Sequence, residues 1–125
     1  MSDRAVDVLI VGAGPVGLTM AAALTSQGMT CRIIDKAPAP SDKSKALVVW
    51  CRTLELLDRI GLAPTFIETG KKLNGGSFYA HGKRVVHLVL TSDDSPYGFP
   101  LSIPQNETER LLGEHLTRHG VIVER

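Results

Sequence analysis

Aromatic side chains are scarce in this chain: one tryptophan, two tyrosines and three phenylalanines among 125 residues. Trp50, Phe66, Phe78, Tyr79, Tyr97 and Phe99 are too few and too scattered to form the stacking platform that single-stranded nucleic acid requires, so they read as core or loop anchors. An excess of one charge is also missing. Fourteen Lys and Arg against thirteen Asp and Glu leave a formal net charge of +1. The basic residues are dispersed, and neither nucleic acid nor a membrane surface is expected as a partner. No apolar run approaches the roughly 20 residues that a spanning helix needs. The N-terminus, MSDRAVD, lacks the apolar centre of a signal peptide. Cys31 and Cys51 fit neither zinc-ligand nor redox-pair spacing, so a reduced, cytoplasmic chain is expected. His115 and His119 stand four apart on a predicted helix without a third ligand, which favours a solvated helix face over a metal site. Asp93 and Asp94 read as solvated loop residues. A nucleophile-elbow pattern is absent as well.

What is present is an ordinary globular composition, 43% hydrophobic, sufficient for one core and one domain. The apolar run Val6–Val11 predicts a buried parallel strand, Val16–Gln27 a helix closed by Gly28, and Cys31–Asp35 a second strand, together a βαβ unit. A turn-rich APAPSD stretch follows. The segment VVWCRTLELLDRIGL then has Leu54, Leu57 and Ile60 at helical spacing and Gly61 at its stop. After a loop with a short helix, GGSFYAHGKRVVHLVL predicts a hairpin around His81-Gly82-Lys83. The cluster Val85, Val86, Leu88, Val89 and Leu90 implies that its second strand is well buried. Beyond the loop TSDDSPYGFP, Asn106 and Glu109 have capping-box spacing at the head of a helix that Gly120 ends, and Val121–Glu124 predicts a third parallel strand.

Within the βαβ unit, Gly12, Gly14 and Gly17 fit G-x-G-x-x-G at the turn from strand to helix. One glycine makes the tight turn, one admits a pyrophosphate to the backbone, and one lets the helix pack on the strand. Anions favour such a helix N-terminus, where backbone N–H groups lack partners. Pro15 suits the first turn, where a missing N–H breaks no bond, and Val16 follows it. Asp35, with Lys36 beside it, ends the second strand at the distance where an acid accepts ribose hydroxyls and repels a 2′-phosphate; a solvated strand end is the alternative. These features predict dinucleotide binding. The long stretch from Ala37 to Gly120, unusual between the second and third strands of an NAD domain, points toward FAD.

Four segments carry a family resemblance: DVLIVGAGPVGLTMAAALTSQG, RIIDK, SKALVVWCRTLELLDRIGL and FPLSIPQNETERLLGEHL. In this order, over nearly the whole chain, they resemble the FAD-dependent aromatic hydroxylases, the para-hydroxybenzoate and phenol hydroxylase group of flavoprotein monooxygenases. The resemblance implies that Arg52 reaches the FAD pyrophosphate or ribityl region and that Gln105 hydrogen-bonds the flavin side of the cofactor. Arginine offers a planar fork of donors for phosphate, though a surface pair with Glu55 or Asp58 is an alternative. Gln105 offers a donor and an acceptor at a fixed backbone position, or is a plain first-turn glutamine. Lys45 stands where the family often has arginine and keeps only the charge.

The implied fold is α/β, a Rossmann-like FAD-binding βαβ with a parallel sheet, an inserted helix and a β-hairpin, incomplete at its C-terminus. The implied reaction uses NADH or NADPH to reduce FAD, then O2 to hydroxylate a small aromatic, phenolic substrate, with the second oxygen leaving as water. No side chain here is assigned as a catalytic acid or base, and no metal is expected. The family's Gly-Asp and Asp-Gly motifs are absent, so residues 1–125 are expected to be the N-terminal part of an FAD-binding domain, inactive alone. The alternative is a non-catalytic dinucleotide-binding module. An incomplete parallel sheet leaves apolar surface and open strand edges, from which self-association of the fragment is expected.

Overall fold

The computed structural model describes residues 5–43, 45 and 47–125. Its elements in chain order are β1 (Val8–Val11), α1 (Pro15–Ser26), β2 (Cys31–Ile34), β3 (Val48–Val49), α2 (Cys51–Asp58) and α3 (Ala63–Thr69), followed by β4 (Lys71–Lys72), β5 (Gly75–Ala80), β6 (Lys83–Val89), β7 (Leu101–Ser102), α4 (Gln105–Arg118) and β8 (Val123–Glu124). They divide into two compact units, Met1–Ala46 with Gln105–Arg125, and Leu47–Pro104.

In the first unit β2 is the middle strand of a parallel sheet ordered β1-β2-β8, with Ile10 opposite Ile33 and Ile33 opposite Val123. Ile33 is fully buried, as a central strand residue should be when helices cover a parallel sheet. α1 supplies Leu18, Ala21 and Ala22 to the core and α4 supplies Leu111, Leu112 and Leu116. Small residues on α1 let it pack closely on β2 and α4. The sheet's three strands match the three predicted from hydrophobic runs, each trimmed at an end. The predicted cap of α4 differs. The helix already begins at Gln105, so Asn106 lies within its first turn, and Glu109 accepts from the Gln105 Nε2 at 2.8 Å instead of closing a capping box.

The second unit is inserted in sequence between the two segments of the first. Its core gathers Leu54 and Leu57 of α2, Leu62, Ala63 and Phe66 around α3, and Leu101 and Ile103. A small antiparallel sheet, ordered β3-β7-β4, was not expected. Each strand is two residues long, too short for an alternation to be read, and Val48–Val49 merged with the helical pattern that starts at Cys51.

The hairpin forms where predicted, with Gly75 opposite Val89 and Phe78 opposite Val86, and with His81 (φ 49°) and Gly82 (φ 74°) in its turn. Its burial is a correction. All seven residues of β6 are exposed, Val85 by 67% and Val89 by 69%. The physical reason is that β5 and β6 pair only with each other, and a two-stranded sheet has no layer of its own to cover either face.

Candidate functional site

The loop from β1 to α1 gives each of its glycines a separate job. Gly12 has φ +107°, a conformation that L side chains rarely adopt, and its N–H donates to the Ile34 carbonyl at 2.7 Å, tying the turn to the end of β2. Gly17 sits where any Cβ would run into the Gly12 carbonyl, with the Ile10 Cγ2 only 3.3 Å away, so it is required for helix-on-strand packing. Gly14 is different. Its backbone is ordinary (φ −79°, ψ −176°), and a Cβ there would meet no protein atom within 4 Å. Neither conformation nor packing within the chain calls for glycine at this position. Pro15 opens α1 as expected, and Val16, 83% exposed, stands on the first turn beside it.

Asp35 follows β2 directly and grips the same loop. Its Oδ2 accepts the Ala13 N–H at 2.6 Å and its Oδ1 the Ala37 N–H at 2.7 Å. The Ala37 and Ala13 donors, with Arg125 and Lys36 nearby, hold the Asp35 carboxyl below the usual carboxylate range. An ionised carboxylate has about four acceptor positions, so acceptor capacity remains beyond these two bonds. A cavity of about 360 Å³ opens at the C-terminal ends of the parallel strands, lined by Val11, Ile34, Asp35, Lys36, Glu124 and Arg125. Open parallel sheets take ligands in this position.

The other predicted residues are placed as follows. Gln105 begins α4 in the same unit as the glycine loop. Arg52 lies on the first turn of α2 in the second unit, where its guanidinium pairs with Glu55 at 2.8 Å and is mostly exposed. Lys45 is exposed, while its neighbours Ser44 and Ala46 lie outside the described residues. His119 Nδ1 is 2.8 Å from the His115 carbonyl, and the two ring centroids lie 4.3 Å apart with the planes tilted by 38°. Among the described residues no group of three or more metal-ligating side chains occurs, and no helix is long and apolar enough to cross a membrane.

A family model described as "FAD binding domain" matches residues 5–125. The chain belongs to this family. Rifampicin monooxygenase of Rhodococcus hoagii is 37% identical over 119 residues, which cover 95% of this chain and 24% of that protein. Pentachlorophenol 4-monooxygenase of Sphingobium chlorophenolicum is 38% identical over 110 residues, 87% of this chain and 20% of that protein. The crystal structure of the flavin-dependent monooxygenase PieE in complex with FAD and substrate superposes with a TM-score of 0.84 at 25% identity, covering 99% of this chain and 24% of that one. The chain therefore spans about a quarter or less of the length of these relatives.

For an FAD-binding chain, the empty space over Gly14 fits a group that must approach the backbone closely, which a pyrophosphate at a helix N-terminus does. Sequence reasoning missed Glu124 and Arg125 as lining residues. Nothing in the run VIVER marks them, and only the pairing of β8 beside β2 brings them next to Asp35.

Proposed function

We propose that the chain is the adenosine- and pyrophosphate-holding part of a flavoprotein monooxygenase that hydroxylates a small aromatic, phenolic substrate with NADH or NADPH and O2. The observation that carries the reading is Gly14, an unstrained glycine facing open space, between a turn glycine and a packing glycine. The relative named for pentachlorophenol supports the substrate class.

In this reading the backbone N–H groups that open α1 hold the pyrophosphate, with Pro15 leaving no unused donor and Val16 shielding one side. Asp35 keeps the loop in place through Ala13 and accepts ribose hydroxyls on its remaining lone pairs. Its negative charge disfavours a 2′-phosphate. Arg52 turns from Glu55 to the pyrophosphate or ribityl region, an exchange that costs little because a solvent-screened surface ion pair contributes little. Gln105 contributes an amide toward the flavin side. Bound FAD supplies the redox chemistry, while these residues supply binding and orientation.

The test is Gly14→Val in the full-length protein. A valine there meets no protein atom near its Cβ, so the variant should fold with a thermal midpoint close to that of the parent and lose its bound flavin. Folded Gly14→Val protein with undiminished flavin would overturn the assignment.

A further inference from the structure

β1 and β2 end side by side in the first unit, and β8 runs beside β2. Gly12 follows β1, Asp35 follows β2, and Arg125, one residue past the Ile34–Glu124 pair, stands level with Asp35. The ladder runs on to these ends, with Gly12 N–H donating to Ile34 O at 2.7 Å and Asp35 N–H to Glu124 O at 2.9 Å. The first two positions belong to the dinucleotide site already described; the third has so far been given only a place on the cavity wall.

Arg125 is nevertheless built into that site. Its Nη1 donates to the Ala37 carbonyl at 3.1 Å, while the N–H of the same residue donates to Asp35 Oδ1. Ala37 is thus held at both of its backbone polar groups, and Arg125 lines the cavity of about 360 Å³ together with Asp35 and Lys36. The adjacent acid does not consume the guanidinium. Glu124 is taken by Arg32 in a two-bond fork, at 2.6 and 2.8 Å. A planar cation on the wall of an adenosine-sized space, beside the acid that takes the ribose, has the shape and charge to lie against a purine ring.

We propose that Arg125 is a cofactor-positioning residue that holds the adenine end of the dinucleotide against the strand ends, by the face of its guanidinium and by fixing the chain at Ala37. This rests on the FAD-binding reading. It predicts that affinity for adenosine ligands depends on the planar group and not on charge alone, because lysine offers the charge without the plane.

The experiment measures ADP and FAD binding to full-length protein stripped of flavin, by calorimetry and flavin fluorescence, for the parent, Arg125→Ala and Arg125→Lys. Arg125→Ala should bind both ligands about tenfold more weakly, with the thermal midpoint of the cofactor-free protein unmoved. Arg125→Lys should recover less than half of that loss on a logarithmic scale. Arg125→Gln, whose shorter side chain carries neither the guanidinium face nor its charge, replaces the alanine variant should that fail to fold, with the same loss expected. Binding within twofold of the parent by the alanine or glutamine variant, or full affinity in Arg125→Lys, would overturn the role of Arg125. A parent protein that binds neither ADP nor FAD would instead overturn the dinucleotide site itself.

Discussion

The glycine loop and the hairpin use similar residues to opposite ends. In the first unit, apolar residues of β1 and β2 alternate with buried partners, Ile10 and Ile33 lying inside while Leu9 and Val11 face outward. In the second, β6 carries valines and a leucine that nothing in its own two-stranded sheet covers. Both regions carry apolar runs in sequence, VLIV in β1 and the valines and leucine of KRVVHLV in β6. What separates them is coverage within the unit: α1 packs on β1 and β2, with α4 against α1, whereas β5 and β6 pair only with each other and β6 is exposed along its length. A hydrophobic run therefore says that a strand needs burial and leaves open what buries it.

Substitutions can break this contrast, beginning with the largest expected effect. Gly17→Val forces a side chain into the Gly12 carbonyl and should cost about 3 kcal/mol of folding stability in denaturant titration. Equal stability of Gly17→Val and Gly14→Val would erase the distinction drawn between a packing glycine and a ligand glycine. In the second unit, Arg52→Ala should leave stability nearly unchanged, Arg52 being exposed and its partner Glu55 a half-exposed neighbour, and should weaken FAD binding by about 1.5–3 kcal/mol, the range for hydrogen bonds to charged groups. An unaltered flavin dissociation constant would return Arg52 to the surface.

A smaller effect separates the units by pH. The folded Asp35 carboxyl titrates below its unfolded value of about 3.9. Its stabilising contribution is therefore complete above about pH 4 and disappears as pH falls through the lower folded value. Asp35→Asn, whose amide can accept only one of the two backbone N–H bonds, should flatten part of the decline in thermal midpoint below pH 4. An unchanged pH profile would mean that the Ala13 and Ala37 bonds contribute nothing to folding. The smallest effect on folding belongs to the hairpin: Val85→Thr with Val89→Thr should shift stability by within about 0.5 kcal/mol, as expected at exposed positions. The cross-strand pair Phe78 and Val86 is also exposed, and residues 1–125 in isolation are expected to self-associate through this strip. Light scattering should show less association when Phe78 and Val86 are both changed to lysine, and an unchanged mass would place the contact elsewhere.

Much of the site was legible because its signals are local. Gly12, Gly14 and Gly17 act within one turn of chain, and Asp35 is placed by a strand of predictable length beside β1. The prediction for α4 went astray by one step because Asn106 and Glu109 satisfy the capping pattern, whereas Pro104 sets the entry and the Gln105 amide claims the Glu109 carboxylate. The two-residue strands β3, β4 and β7 left no periodicity to read, since two residues cannot alternate.

By itself the sequence determined the βαβ unit, the loop chemistry and the acid at the second strand's end, since turn geometry and short-range spacing need no knowledge of distant partners. Tertiary structure alone decided three things. It paired residues 123 and 124 with β2 and so brought Arg125 to the cavity beside Asp35. It left Gly14 facing open space where Gly17 faces backbone. It also exposed the hairpin that composition would bury. Each depends on which elements stand next to one another, and burial and approach distance are properties of that adjacency.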